Sequence, residues 1–230
     1  MLPEPTADLL RRTSQTVSHP LCFSMFGKQW RLLPDVFAPL YDPSTFLFTA
    51  WLPLSPGMRF LEIGCGAGIT AVMAALRGCD HVTALDINEN AVDNTNQNVR
   101  LHGVEDKVEV HLSDLFSAVD TTQKYDLIYW NSSFIDVPED HSDLTPLERA
   151  VVDPGYRTHR RFIAEARNHL SERGRILLGF GSLGNRDRLS QLASESSLTV
   201  KTLQTSGRAV SANESYQLLE LSHSRDVALE

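Results

Sequence analysis

The chain has 230 residues, 42% of them hydrophobic and 22% charged, which suits one sizeable core and is short for two full domains. A formal net charge of −8 repels phosphate backbones, so neither DNA nor RNA is an expected partner. Three cysteines without CxxC spacing and histidines without ligand spacing exclude a disulfide framework and leave no metal site. The first residues lack the basic stretch and apolar run of a signal peptide. No apolar segment approaches the roughly 18 residues of a membrane span, so a cytoplasmic protein with no membrane partner is expected.

In chain order, residues 4–18 read as a helix, with Leu9, Leu10 and Val17 set against polar residues. Two short apolar runs flank Gly27-Lys28 and predict a hairpin. A proline-rich loop follows over 34–44, then a helix from Thr45 to Leu52 capped by Ser44 or Thr45. From Pro56 the pattern alternates. Strands are expected at 59–63, 82–86, 108–111, 125–130 and 175–180, the last after Gly174. Helices are expected at 68–77, 89–102, 155–170 and about 185–195. Two final strands, near 198–204 and 215–221, are close enough to form an antiparallel hairpin.

Apolar strands alternating with helices imply an α/β, Rossmann-like fold, mostly parallel and covered on both faces. The expected division is a helical and hairpin extension over 1–52 that forms part of the substrate pocket, a catalytic domain over 53–221, and a flexible tail over 222–230. Arg157, Arg160 and Arg161 form a compact basic cluster, read as a solvated helix face.

The strongest chemical signal is Phe60-Leu-Glu62-Ile-Gly64-Cys-Gly66-Ala-Gly68-Ile69: an apolar strand, a glycine turn, then a helix. Glycines accept positive φ and let a ligand lie against bare backbone. The spacing G-x-G-x-G falls short of a full dinucleotide fingerprint, so a pyrophosphate is not implied. Glu62 just before the turn would repel phosphate but suits an ammonium group. Asp86 ends the next strand, about 20 residues on, where a carboxylate holds a ribose diol. Asp114, after the third strand, can accept from an adenine amino group.

These segments, with Asp86-Ile87-Asn88-Glu89-Asn90-Ala91, Asn94–Asn98 and Ser113-Asp114-Leu115-Phe116, resemble the successive cofactor motifs of class I S-adenosylmethionine-dependent methyltransferases. Residues 23–135 are similar to the small-methyltransferase branch that includes the release-factor glutamine methyltransferases. The resemblance implies S-adenosylmethionine as cofactor. It places Glu62 and Gly64 at the methionine end, Asp86 and Ile87 around the ribose and adenine, and Asp114 and Leu115 against the adenine. Thr45, at the start of its helix, is a further candidate contact. An NAD-type Rossmann domain is the competing reading.

The branch usually carries Asn-Pro-Pro-Tyr/Phe after the strand at 125–130; here the sequence is Asn131-Ser132-Ser133-Phe134. By resemblance Asn131 orients the acceptor nitrogen and also lies against the cofactor, and Phe134 completes the motif. Loss of both prolines removes two fixed φ angles and adds two hydroxyls. Trp130, Phe134, Tyr41, Phe46 and Tyr156 are candidate aromatic neighbours of a sulfonium. Asp153-Pro-Gly-Tyr156 follows a polar loop of about 20 residues and is a candidate lid, with Tyr156 a candidate catalytic residue. Methylation of a small-molecule nitrogen is the leading expectation. The main alternative is cyclisation of the cofactor itself to azetidine-2-carboxylate with release of methylthioadenosine, as in nonribosomal-peptide pathways of secondary metabolism. A protein glutamine methyltransferase and a non-enzymatic binding module are further alternatives.

Overall fold

The computed structural model describes residues 4–18, 20–141, 143–207 and 214–223. Its centre is a seven-stranded sheet in the order β10-β11-β9-β6-β3-β4-β5. The strands are β3 (Arg59–Ile63), β4 (His81–Asp86), β5 (Val108–Leu112), β6 (Tyr125–Asn131), β9 (Leu170–Gly181), β10 (Leu198–Thr205) and β11 (Tyr216–His223). Five run parallel, and β11 pairs antiparallel with both β9 and β10. The fold is the α/β, Rossmann-like arrangement expected, with its antiparallel C-terminal hairpin. Strands buried on both faces need helices above and below. These are α3 (Ile69–Leu76), α4 (Glu89–His102), α6 (Arg157–Glu165) and α7 (Arg186–Glu195), joined by α2 (Ser44–Trp51). Helix α3 is buried at every residue from Ile69 to Ala75, so its continuous apolar run carries no amphipathic period.

The N-terminal part holds α1 (Glu4–Thr13) and a hairpin of β1 (Leu21–Met25) and β2 (Lys28–Leu32), turning at Phe26-Gly27 with φ of 53° and 68°. Two asparagines of α4 fasten this hairpin to the sheet domain. Asn94 Oδ1 accepts from Leu33 N at 2.8 Å, and Asn98 Oδ1 accepts from Arg31 N at 2.8 Å. Both side-chain amides also donate to Arg31 O, at 2.8 and 2.9 Å. Asn94–Asn98, read above as part of a family signature, is therefore a structural clamp. Losing either side chain strands buried backbone groups at about 1–3 kcal/mol each.

Several boundaries differ from expectation. Helix α1 stops at Thr13, where the Thr13 hydroxyl donates back to Leu9 O at 2.8 Å. Helix α2 is preceded by Pro43, with no side-chain cap, in place of capping by Ser44 or Thr45. The helix expected over 155–170 ends at Glu165 and tightens into a 3₁₀ turn, Ala166–His169. Gly174 lies inside β9: a Cβ there would sit 2.6 Å from Tyr125 O, next to the irregularity in β6–β9 pairing. The polar loop contains a short parallel pair, β7 (Ile135–Val137) and β8 (Val152–Pro154), and the one-turn helix α5 (Pro146–Arg149). Strand β11 extends to His223, past the expected start of the tail, and 224–230 lie outside the described residues. Among the described residues no helix is long and apolar enough to cross a membrane, and no group of side chains could hold a metal ion.

Candidate functional site

The parallel register brings the carboxyl ends of β3, β4, β5 and β6 to one edge. Ile63 pairs with Leu85 and Trp130, and Asp86 pairs with Leu112. A cavity of about 830 Å³ opens there, within the size range of small-ligand sites. Glu62, Gly64, Gly66, Asp86, Ile87, Asp114, Leu115, Asn131, Phe134 and Thr45 all line it. The sequence-read cofactor set is thus assembled from four strand ends, plus one residue of α2.

The glycine turn is built for a close backbone approach. Gly64 and Gly66 have φ of 68° and 55°. A Cβ on Gly66 would meet nothing, and one on Gly64 would meet Trp130 at 3.6 Å. Gly68, at φ 77°, heads α3 with no room for a side chain: Thr95 would lie 2.7 Å away. Gly68 is accordingly a packing residue rather than part of the cavity wall. Asp86 holds the turn in place. Its Oδ2 accepts from Gly66 N at 2.9 Å and its Oδ1 from Asn88 N at 2.9 Å. Each oxygen retains lone-pair capacity toward the cavity.

Glu62 is 3% exposed, and its Oε2 is buried without a hydrogen-bond partner. Burial pushes its carboxyl up to about 8, against the lowering effect of Thr70 and the Ala71 backbone, and Asp86 adds to the rise. Leaving such a group unpartnered is costly unless a ligand completes it. An ammonium supplies both the missing donor and a counter-charge. The orphaned Glu62 carboxyl, the bare glycine turn and the Asp86 carboxylate together fit an adenosyl amino acid.

Other expectations change. Asp114 is engaged by Arg161, whose Nη1 donates to both carboxylate oxygens at 2.8 and 3.1 Å, so an adenine amino group would share that carboxylate. The basic cluster carries partners throughout: Arg157 with Glu139, Arg160 with Glu195, and Arg161 with Asp114.

Tyr156 is not part of the cavity wall, although Asp153 and Pro154 of the same segment line it. It is fully buried at φ 52°, its hydroxyl donating to Phe134 O at 2.5 Å and accepting from Asn185 N at 2.8 Å. It braces the loop that follows Asn131. Phe134 reaches the cavity, but its ring wedges against Gly181, Phe180 and Tyr216. Tyr41 and Phe46 do not line the cavity; Phe46 stacks on Phe26 at 4.8 Å.

Trp130 does line it, held by His159 at 4.6 Å and Phe162 at 5.2 Å. His159 in turn pairs with buried Asp153 at 2.8 Å. Sequence reading had no signal for His159, whose partners come from separate elements. The Ser132 and Ser133 hydroxyls are consumed by Gly179 O and Arg149 O, both at 2.7 Å. These bonds do part of the stiffening that prolines would do. Asn131 remains, its Nδ2 donating to Ser44 Oγ at 3.3 Å.

The methyltransferase small-domain family model matches residues 30–205. The tRNA1(Val) (adenine(37)-N6)-methyltransferase of Enterobacter sp. (strain 638) is 29% identical over 150 residues, covering 64% of this chain and 60% of that protein. The ribosomal protein L11 methyltransferase of Thermosipho africanus (strain TCF52B) is 42% identical over 78 residues, covering 34% of this chain and 28% of that protein. The aligned stretches span 60% and 28% of these two relatives, under two thirds of either. A solved structure named "a putative methyltransferase complexed with SAH" superposes with a TM-score of 0.62 at 14% identity, covering 90% of this chain and 57% of that one. These relatives overturn the expected restriction to small-molecule partners with nucleic acid excluded, since they are named for a transfer RNA and a ribosomal protein. Net charge is a bulk property and does not fix local chemistry. Arg149 on the cavity wall, for one, forms no ion pair among the described residues.

Proposed function

We propose that this chain, which belongs to the methyltransferase small-domain family, transfers a methyl group from S-adenosylmethionine to a planar amino or amide nitrogen carried by an RNA or a protein. The observation that carries this reading is Asn131 at the end of β6, on the wall of the same cavity as Glu62, the glycine turn and Asp86.

When bound, the cofactor supplies a methyl group activated by a positively charged sulfur. The chain's own residues do the rest. Glu62 takes the ammonium end, Gly64 and Gly66 let the amino-acid part lie against backbone, and Asp86 accepts from the ribose hydroxyls. Ile87 and Leu115 flank the adenine, Asp114 accepts from its amino group, and Thr45 closes the near wall. Trp130 presents an aromatic ring toward the cationic end, an interaction of about 0.5–2 kcal/mol. Asn131 aims the acceptor nitrogen, and orientation of this kind can be worth several kcal/mol. A methyl-labelled cofactor, incubated with undermethylated transfer RNA and with ribosomal protein L11, tests this. Label in either acceptor supports the reading, and label in neither counts against it.

A further inference from the structure

The cavity wall beside Asn131 holds a carboxylate that neither cofactor binding nor the Asn131 motif uses. Asp42 lines the cavity and is 4% exposed. It is joined to Asn131 through Ser44: Asp42 Oδ1 accepts from Ser44 N at 2.9 Å, and Ser44 Oγ accepts from Asn131 Nδ2 at 3.3 Å. From the opposite chain end, Tyr216 OH donates to Asp42 Oδ2 at 2.5 Å. Among the described residues the charged side chains around this point are Glu214, Arg12 and, on the far side of Arg12, Asp8. Arg12 donates to both Glu214 oxygens at 2.8 Å, and Tyr216 OH also reaches Glu214 Oε2 at 3.3 Å. Arg12 is shared among Glu214, Asp8 and Tyr41 O, and among the described residues Asp42 forms no ion pair. Two neutral donors leave part of a carboxylate's accepting capacity open. A buried carboxylate held this way, on a cavity wall, calls for a ligand hydrogen.

We propose that Asp42 accepts an N–H hydrogen bond from the nitrogen nucleophile and takes its proton as the new bond forms. This rests on the methyl-transfer reading above. The nitrogen lone pair forms an N–C bond to the methyl carbon, and the C–S bond breaks with its electron pair left on sulfur. The nitrogen, now cationic, loses a proton to the Asp42 carboxylate, which later yields it to water.

The carboxylate also narrows the acceptor class. A planar amino or amide nitrogen is weakly basic, stays unprotonated beside Asp42, and becomes a strong acid once alkylated, so the proton transfer runs downhill. An aliphatic amine beside the same carboxylate would be held as ammonium, its lone pair lost. Asp42 thus selects the planar class.

The test uses the full chain and two probes: S-adenosylhomocysteine, and its analogue in which a carbon bearing a primary ammonium replaces the sulfur, so that the ammonium stands where the methyl group would. By calorimetry, Asp42→Asn weakens the ammonium analogue about tenfold or more and leaves S-adenosylhomocysteine within about twofold. Asp42→Ser keeps an oxygen for the Tyr216 phenol and gives the same result if the Asn variant does not fold. An unchanged ratio of the two affinities overturns the proposal. Native protein that binds neither probe refutes cofactor binding instead. With the acceptor that takes the label, Asp42→Asn lowers kcat roughly thirtyfold or more. A kcat that Asp42→Asn leaves unchanged also overturns the proposal.

Discussion

Glu62 gives the cleanest handle on the site, because its chemistry can be read without knowing the acceptor. Its carboxyl sits at about 8 in the fold against 4.5 for an ordinary glutamate. Between those values the folded chain holds a proton that the unfolded chain has released. Stability is therefore highest below the unfolded value and is lost as pH rises toward about 8. The loss is about 1.4 kcal/mol per pH unit, or about 2.7 kcal/mol between about pH 5.5 and 7.5. Glu62→Gln removes that slope. Urea unfolding of ligand-free native and variant proteins at both pH values gives the difference, because titrating groups that do not feel Glu62 cancel. A native protein that loses no more stability than the variant over this interval would refute the assignment of a neutral, buried Glu62. The same reasoning predicts that S-adenosylmethionine binding at neutral pH releases a proton, since an ammonium beside Glu62 favours its charged form. Calorimetry in two buffers of different ionisation enthalpy measures it.

Asp86→Ala frees the Gly66 and Asn88 amides as well as the ribose contact, so S-adenosylmethionine affinity falls about tenfold or more; unchanged affinity by calorimetry counts against it. Asn131→Ala lowers turnover about thirtyfold or more and cofactor affinity about threefold or less, because its work is orientation; single-turnover rates beside binding constants separate the two. Gly68→Ala combines φ 77° with Thr95 at 2.7 Å and costs about 2 kcal/mol or more in chemical unfolding. His159→Ala leaves the Asp153 carboxylate buried without its ring partner and removes one of the two rings packed on Trp130, lowering stability by about 3 kcal/mol; an unchanged midpoint of unfolding would show the pair to be dispensable.

What the sequence made legible is what depends on local pattern. The strand, glycine turn and helix at 60–69 announce themselves because each local rule agrees with the fold around it. Glu62, Asp86 and Asn131 could be placed because acids and amides just at strand ends share one edge of a parallel sheet. What depended on distant partners was hidden. Asp42 gains its role from Tyr216, 174 positions away, and from Ser44 lying beside Asn131. Tyr156 sits in a polar stretch that reads as surface. Its burial comes from Phe134 and Asn185 closing on its hydroxyl. Strands β7 and β8 are three residues each, too short for a period to show. Helix α5 was legible and missed: Thr145-Pro-Leu-Glu148 spells a capping box, and the Thr145 and Glu148 side chains cap each other's backbone.

The most direct test of methyl transfer is the identity of the adenosine product. Native protein is incubated with S-adenosylmethionine, alone and with undermethylated transfer RNA or ribosomal protein L11, and the products are separated by mass spectrometry. Methyl transfer predicts S-adenosylhomocysteine only when an acceptor is present, in step with a methylated nitrogen on that acceptor. Methylthioadenosine appearing without any acceptor would contradict it.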